Sequence, residues 1–219
     1  MKILYKYASK SRPHKLFASL DNMHHMMQHN DFEIQITADI DDESMTPVEV
    51  RDRITSYRNT FITYGTSTSK VDAINRDMAL FNDWDILVNM SDDMEFIQPS
   101  FDILILRDYH TLPGGDVFMH YPDQAAGAAL STMSIMDRKY YDRFGYIYNP
   151  EYKSLFCDNE AQEVAKLLGR YKFFKQRLFN HNHPAWGLAP MDALMVHTES
   201  FHAEDKATYE RRKAVNFGI

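Results

Sequence analysis

Residues 85–93, Asp85-Ile86-Leu87-Val88-Asn89-Met90-Ser91-Asp92-Asp93, set an apolar run directly before a pair of carboxylates. An apolar run with little alternation reads as a strand buried on both faces, as the interior of a parallel sheet requires. Adjacent carboxylates at its end repel each other and cost stability unless something positive sits between them. The stretch therefore predicts a central strand with a cation site at its carboxyl end. The alternative is a solvated turn, or a helix cap before Met94.

Working upstream, Lys2 to Ala8 reads as a first strand that breaks at Ser9-Lys10-Ser11-Arg12-Pro13. Leu16, Leu20, Met23 and Met27 then fall on one helical face. Phe32, Ile34, Ile36 and Ala38 alternate with polar residues and run into Asp39-Ile40-Asp41-Asp42. Thr46-Pro47-Val48-Glu49 predicts a capping box, with Thr46 as N-cap and Glu49 reaching back, for a helix carried by Val50, Ile54 and Tyr57. A strand over Phe61 to Tyr64 ends at Gly65, and Val71, Ile74, Met78 and Phe81 predict one helix after it. Strands alternating with helices define an α/β chain, with a mainly parallel central sheet and helices on both faces. Ligands of such sheets bind beyond the carboxyl ends of the strands. Four polar clusters fall there: Ser9 to Arg12, Asp39 to Asp42, Gly65 to Lys70, and Ser91 to Asp93.

Downstream, Pro113-Gly114-Gly115-Asp116 predicts a turn and Val117 to Tyr121 a strand. Ala128 to Met136 predicts another strand, leading into a helix over Asp137 to Phe144. Asn159 to Leu168 is a helix closed by Gly169. Arg177 to His183 reads as a final strand, and Asp205 to Lys213 as a helix in a terminal tail.

Composition sets outer bounds. The 219 residues are 44% hydrophobic, enough for a full-sized core. Lys and Arg number 24 against 31 Asp and Glu, a net charge of −7, which disfavours binding to nucleic acid. The single cysteine, Cys157, excludes an internal disulfide and suits a reducing compartment. Met1 to Lys6 lacks the apolar run of a secretory leader, and no apolar run reaches the ~20 residues that span a bilayer. A cytoplasmic location with no transmembrane segment is expected.

Several residues could carry chemistry. Asp92 and Asp93 suit a divalent cation whose remaining shell is phosphate and water. His181-Asn182-His183-Pro184 puts two imidazoles on one side if the segment is extended, and imidazole with carboxylate suits Mn, Fe or Zn better than Mg. The plainer reading is a polar surface loop. Asp158, at the start of the helix to Gly169, is either a helix cap or a general base. Lys70 opens the helix that also carries Asn75 and Arg76, and it could neutralise a diphosphate. His24, His25 and His29 receive no role.

Taken in order, these clusters resemble a family 2-type glycosyltransferase with the GT-A fold, a single Rossmann-like domain that uses nucleotide-diphosphate sugars. The resemblance spans roughly residues 1–183 and rests on five short motifs. They are Tyr7-Ala8-Ser9 to Arg12-Pro13, Asp39-Ile40-Asp41-Asp42, Gly65 with Lys70, Ala73 and Asn75, Ser91-Asp92-Asp93, and Asp158-Asn159-Glu160. Ser91 stands where the family's first Asp of Asp-x-Asp would be, and Cys157 where its Glu precedes Asp158.

The resemblance implies a metal-dependent transfer of sugar, from a UDP-sugar as first choice, to a hydroxyl of a glycan or other acceptor with inversion. Ala8, Ser9, Arg12, Asp39, Asp41, Lys70, Asn75 and Asp92 would bind nucleotide, Asp39 reading the base. Asp93 with His181 or His183, His183 slightly ahead, would hold Mn²⁺ or Mg²⁺, and Asp158 would be the base. It divides the chain into a nucleotide-binding half over 1–95, an acceptor half over 96–183, and a tail or lid over 184–219. In that tail Lys206, Arg211, Arg212 and Lys213 are expected either to close over the diphosphate once donor is bound or to form a solvated terminal helix. A metal-dependent hydrolase, or a non-catalytic nucleotide- or sugar-binding protein on the same fold, are the alternatives.

Overall fold

The computed structural model describes residues 1–219. Its first half alternates as the periodicity requires: β1 (Ile3–Ala8), α1 (Pro13–Met26), β2 (Phe32–Asp39), α2 (Val48–Ser56), β3 (Thr60–Gly65), α3 (Lys70–Asn75) and β4 (Ile86–Met90). The second half contributes β5 (Met94–Phe96), α4 (Phe101–His110), β6 (Phe118–His120), β7 (Ile135–Asp137), α5 (Arg138–Tyr141), α6 (Cys157–Leu167), β8 (Tyr171–Phe173), β9 (Phe179–His181), α7 (Ala193–Glu199) and α8 (His202–Lys213).

Seven strands form one sheet in the order β3-β2-β1-β4-β7-β6-β8. β1 to β4 are parallel, and β7 runs against both its neighbours. The chain therefore has the mainly parallel α/β sheet that its hydrophobic pattern predicts. β1 divides the core. Ile3, Tyr5 and Tyr7 pack toward Leu16, Leu20 and Met23 of α1 and Phe101 and Ile105 of α4. Leu4, on the opposite face, packs toward Val71 and Ile74 of α3, Tyr140 of α5 and Ala165 of α6. Helices cover both faces because the central strands are apolar on both; every residue of β4 is buried.

Several local expectations are corrected. There is no capping box at Thr46: α2 is capped by Pro47 without a side-chain bond, and the Thr46 hydroxyl donates to the Asp42 carbonyl instead. The helix read over Val71 to Phe81 stops at Asn75, and Asp77 takes a left-handed φ of 68°. That turn is held by the Thr63 hydroxyl, which donates to Asp77 at 2.6 Å. Only Ile135–Asp137 of the strand read from Ala128 is a strand. The loop before it is satisfied by side chains, since Gln162 accepts from Ser131 N–H at 2.8 Å and donates to the Ala129 carbonyl at 2.8 Å. The strand over Arg177 to His183 shortens to β9 and pairs with β5 in a separate two-stranded sheet.

The C-terminal cations pair with carboxylates of the neighbouring loop and of α6. Arg212 forks onto the buried Glu160 with two bonds of 2.8 Å. Arg211 and Arg212 also pair with Glu151, Lys213 with Glu163 and Lys206 with Glu210. α8 is pinned further by Asp205, fully buried, whose carboxylate accepts the N–H groups of Lys153, Ser154 and Leu155 at 2.7–2.8 Å. Arg212→Ala would leave Glu160 buried without its cation, and a loss of about 3 kcal/mol of stability is expected in urea denaturation. A loss under ~1 kcal/mol would mean the pair is no stronger than a surface ion pair.

Candidate functional site

The carboxyl ends of β1, β2 and β4 open onto a cleft of about 960 Å³, counting its mouth. β1 and its turn supply Ala8, Ser9, Lys10 and Arg12, β2 supplies Thr37 and Asp39, and Lys70 enters from the start of α3. Ser91, Asp92 and Asp93 follow β4, and His183 reaches in from beyond β9. A second cavity of about 1260 Å³ adjoins it and shares Ala8, Lys70, Ser91, Ser154 and His183. Asp158 and His181 line the second cavity.

The charges are arranged in pairs. Asp39 accepts from Lys10 at 2.9 Å and from Arg76 at 3.3 Å. Burial alone would raise its carboxyl, but Lys10, Ser67 and Arg76 hold it below the usual range, so it is an anion. Arg12 lies between Asp92 at 3.4 Å and Asp192 at 2.5 Å, and Ser9 donates to Asp92 at 3.0 Å. Burial first, then the charge of Asp93, push Asp92 up. Asp93 moves the other way: burial works against it, but the His181 ring, Ser91 and Lys70 hold it well below the carboxylate range. The adjacent acids are thus set apart by different partners. Beneath them Lys6, buried in β1, donates to the Thr37 hydroxyl, and burial pulls its ammonium to about 7.

Asp93, His181 and His183 each offer one ligand atom within 4.8 Å of the others. Two observations fit a cation there. Asp93 Oδ1 is buried without a hydrogen-bond partner. Burial pulls His183 to about 4, so its ring is neutral near pH 7, the only form that coordinates. Its Nδ1 already accepts the Ala185 N–H at 3.2 Å, whereas His181 places Nε2 3.2 Å from Asp93 Oδ1. The geometry therefore favours His181 over His183, the reverse of the order expected from sequence.

Asp158 is half-buried in the first turn of α6, whose N-cap is Phe156. It is therefore not the helix cap. Burial raises its carboxyl, as suits a group that must accept a proton. Glu160, two residues on, is occupied by Arg212 and by the Tyr152 hydroxyl at 2.7 Å.

Two residues read as nucleotide ligands do not reach the cleft. Asp41 is exposed on the loop after β2 and does not line it. Asn75 fastens residues 147–148, donating to the Tyr148 carbonyl at 2.7 Å and accepting from Ile147 and Tyr148 N–H at 2.9 and 3.2 Å. α7 went unread in the sequence, yet Leu194, Met195, His197 and Thr198 from it line the cleft. Its one local signal is Asp192, whose carboxylate caps the helix at Met195 N–H, 2.9 Å.

No protein-family model matches the chain, and no curated protein sequence matches it. Solved structures do match. TarS 1-349 of S. aureus in complex with UDP aligns at TM-score 0.65 and 12% identity, over 97% of this chain and 71% of its own. The mannosyltransferase PcManGT of Pyrobaculum calidifontis, in complex with GDP-Man and Mn²⁺, aligns at TM-score 0.62 and 12% identity, over 80% of this chain. A mutant Drosophila galactosyltransferase 7 with manganese, UDP-Gal and xylobiose aligns at 0.57 and 10% identity, over 90% of this chain and 79% of its own. This chain spans 54% of the mannosyltransferase's length. The fold is that of the GT-A nucleotide-sugar transferases.

No helix is long and apolar enough to cross a membrane.

Proposed function

We propose that this chain transfers a sugar from a nucleotide-diphosphate donor, a UDP-sugar first, to an acceptor hydroxyl with inversion. The observation that carries the reading is the junction of the two cavities. The Asp93, His181 and His183 cluster and Lys70 stand where they meet, with Asp39 lining only the first cavity and Asp158 only the second. A donor nucleotide would lie in the first cavity along Ala8, Ser9 and Asp39, with Asp39 accepting an N–H of the base. Lys70 would neutralise part of the diphosphate. Asp93 and His181, with His183 if it releases Ala185, would hold Mn²⁺ or Mg²⁺, which when bound offsets charge developing on the leaving diphosphate. Asp158 would take the proton of an acceptor hydroxyl entering the second cavity. Arg12 and Asp92, each bound to a charged partner, would set the shape of the phosphate end. A base in a cavity separate from the nucleotide cleft favours transfer over hydrolysis, because it leaves room for an acceptor larger than water.

The neighbours' ligands support this reading: UDP in TarS, GDP-Man with Mn²⁺ in the mannosyltransferase, and UDP-Gal with manganese in the galactosyltransferase. Calorimetric titration with nucleoside diphosphates, with and without Mn²⁺, followed by turnover of the sugar of the tightest binder, tests it. Metal-enhanced UDP binding with transfer to an added glycan is expected. Binding without turnover would make the chain a binding module, and turnover to free sugar in the presence of acceptor would make it a hydrolase.

The double variant His181→Ala, His183→Ala is expected to lose Mn²⁺ affinity by more than ~10²-fold, since even outer-shell changes cost about 10–100-fold. Of the single variants, His181→Ala is expected to carry most of that loss. Normal Mn²⁺ affinity in the double variant would return both residues to the surface-loop reading.

A further inference from the structure

Asp123 lies three residues beyond β6 and has no part in the function proposed above. It is only 4% exposed. Its Oδ1 accepts the N–H groups of Ala125, Ala126 and Gly127 at 2.8, 2.6 and 3.2 Å. Its Oδ2 accepts the Thr132 hydroxyl at 2.7 Å. Four donors thus hold the carboxylate in one orientation, with Oδ2 3.9 Å from Nδ1 of His181. That nitrogen is buried and has no hydrogen-bond partner, while Nε2 on the other side of the ring faces Asp93. The His181 ring therefore sits between two carboxylates, one toward each nitrogen.

The next residue grips the same histidine by its backbone. His181 N–H donates to Gln124 Oε1 at 2.7 Å, and Gln124 Nε2 donates to the His181 carbonyl at 3.1 Å. Oδ1 of Asp123 closes the 123–127 turn, while Oδ2, besides holding Thr132, and the Gln124 clamp face His181.

We infer that Asp123 is the positioning residue of His181, accepting its Nδ1–H so that the Nε2 lone pair is presented beside Asp93 to a divalent cation. The inference rests on the reading of Asp93 and His181 as metal ligands. A neutral imidazole carries one proton, and the nitrogen that holds it cannot coordinate. A carboxylate beside Nδ1 keeps the proton there and raises the basicity of Nε2.

Asp123→Asn separates this role from loop closure. The Asn carbonyl can still accept the three backbone N–H groups, and its NH₂ then faces His181 and the Thr132 hydroxyl, which can turn to accept from it. An NH₂ donating to Nδ1 drives the ring proton to Nε2, the wrong tautomer for coordination. Titration of Mn²⁺ alone into the wild-type, Asp123→Asn and Asp93→Ala proteins is the test. Asp123→Asn is expected to bind Mn²⁺ about 10–100-fold more weakly with an unchanged melting temperature, and Asp93→Ala to lose binding.

Wild-type affinity in Asp123→Asn, with binding lost in Asp93→Ala, would overturn the positioning role alone. Wild-type affinity in Asp93→Ala would overturn the metal reading and this inference with it. Should Asp123→Asn not fold, proton NMR of the wild-type protein loaded with Zn²⁺ decides. A slowly exchanging His181 Nδ1–H, shielded by the carboxylate, is expected. A His181 Nδ1–H in free exchange with water would overturn the inference.

Discussion

Asp158→Asn is expected to lower sugar transfer by a factor of about 10²–10⁴ while leaving donor affinity and fold intact. A base acts on the acceptor, so its loss should part binding from chemistry. Asp158 lines the second cavity and not the cleft that holds Asp39, which is why donor affinity should not move. Stability should hold for a second reason. Phe156, not Asp158, occupies the N-cap of α6, and the Asp158 side chain bonds only the adjacent Asn159 N–H, at 2.9 Å. The change removes a first-turn negative charge worth about 0.3–1 kcal/mol at a helix start. It also removes the burial cost that raises this carboxyl, so the two effects oppose each other. The measurement is initial-rate transfer beside donor titration on the same preparation. Transfer near the wild-type rate would place the base elsewhere, and not at Glu160, which Arg212 and Tyr152 already occupy. A collapse of donor binding instead would assign Asp158 to the nucleotide or metal site.

Asp93→Ala is expected to abolish the Mn²⁺-dependent part of nucleotide affinity, a loss greater than the ~10²-fold that outer-shell changes reach. UDP binding in the variant should be the same with and without Mn²⁺. The contacts the change removes are those to the His181 ring, 3.2 Å from Asp93 Oδ1, to Ser91 and to Lys70, all within the same candidate site. The change also relieves Asp92, whose carboxyl is raised by burial and next by the charge of Asp93. The variant should therefore fold, and its melting temperature without metal is the control. Mn²⁺-dependent UDP binding that persists would remove Asp93 from the metal site.

Much of this site was legible because the strand ends are legible. Ala8, Ser9, Asp39 and Asp93 lie at or just past the ends of β1, β2 and β4, Lys70 opens the helix after β3, and in a parallel sheet those ends converge. Asn75 and Asp41 do not line the cleft. Asp41 lies two residues past β2 but faces solvent, and Asn75, named from the resemblance and set at the far end of α3, binds residues 147–148. Proximity along the chain does not say which way a side chain turns. Asp123 was missed because nothing local to residues 122–127 shows that His181 lies beyond them.

The amino-acid sequence by itself determined the order of β1 to β4 and their helices, which residues face the core, and which polar clusters gather at the strand ends. Periodicity carries that information because burial on one face of a strand or helix repeats every few residues. Tertiary structure alone decided which charges meet. Arg12 finds Asp192 across 180 residues, Ser9 finds Asp92 across 83, and Arg212 finds Glu160 across 52. It also decided that α7, rather than the cationic helix after it, lines the cleft. Long-range ion pairs and hydrogen bonds depend on where the chain returns in space, and no residue spacing records that.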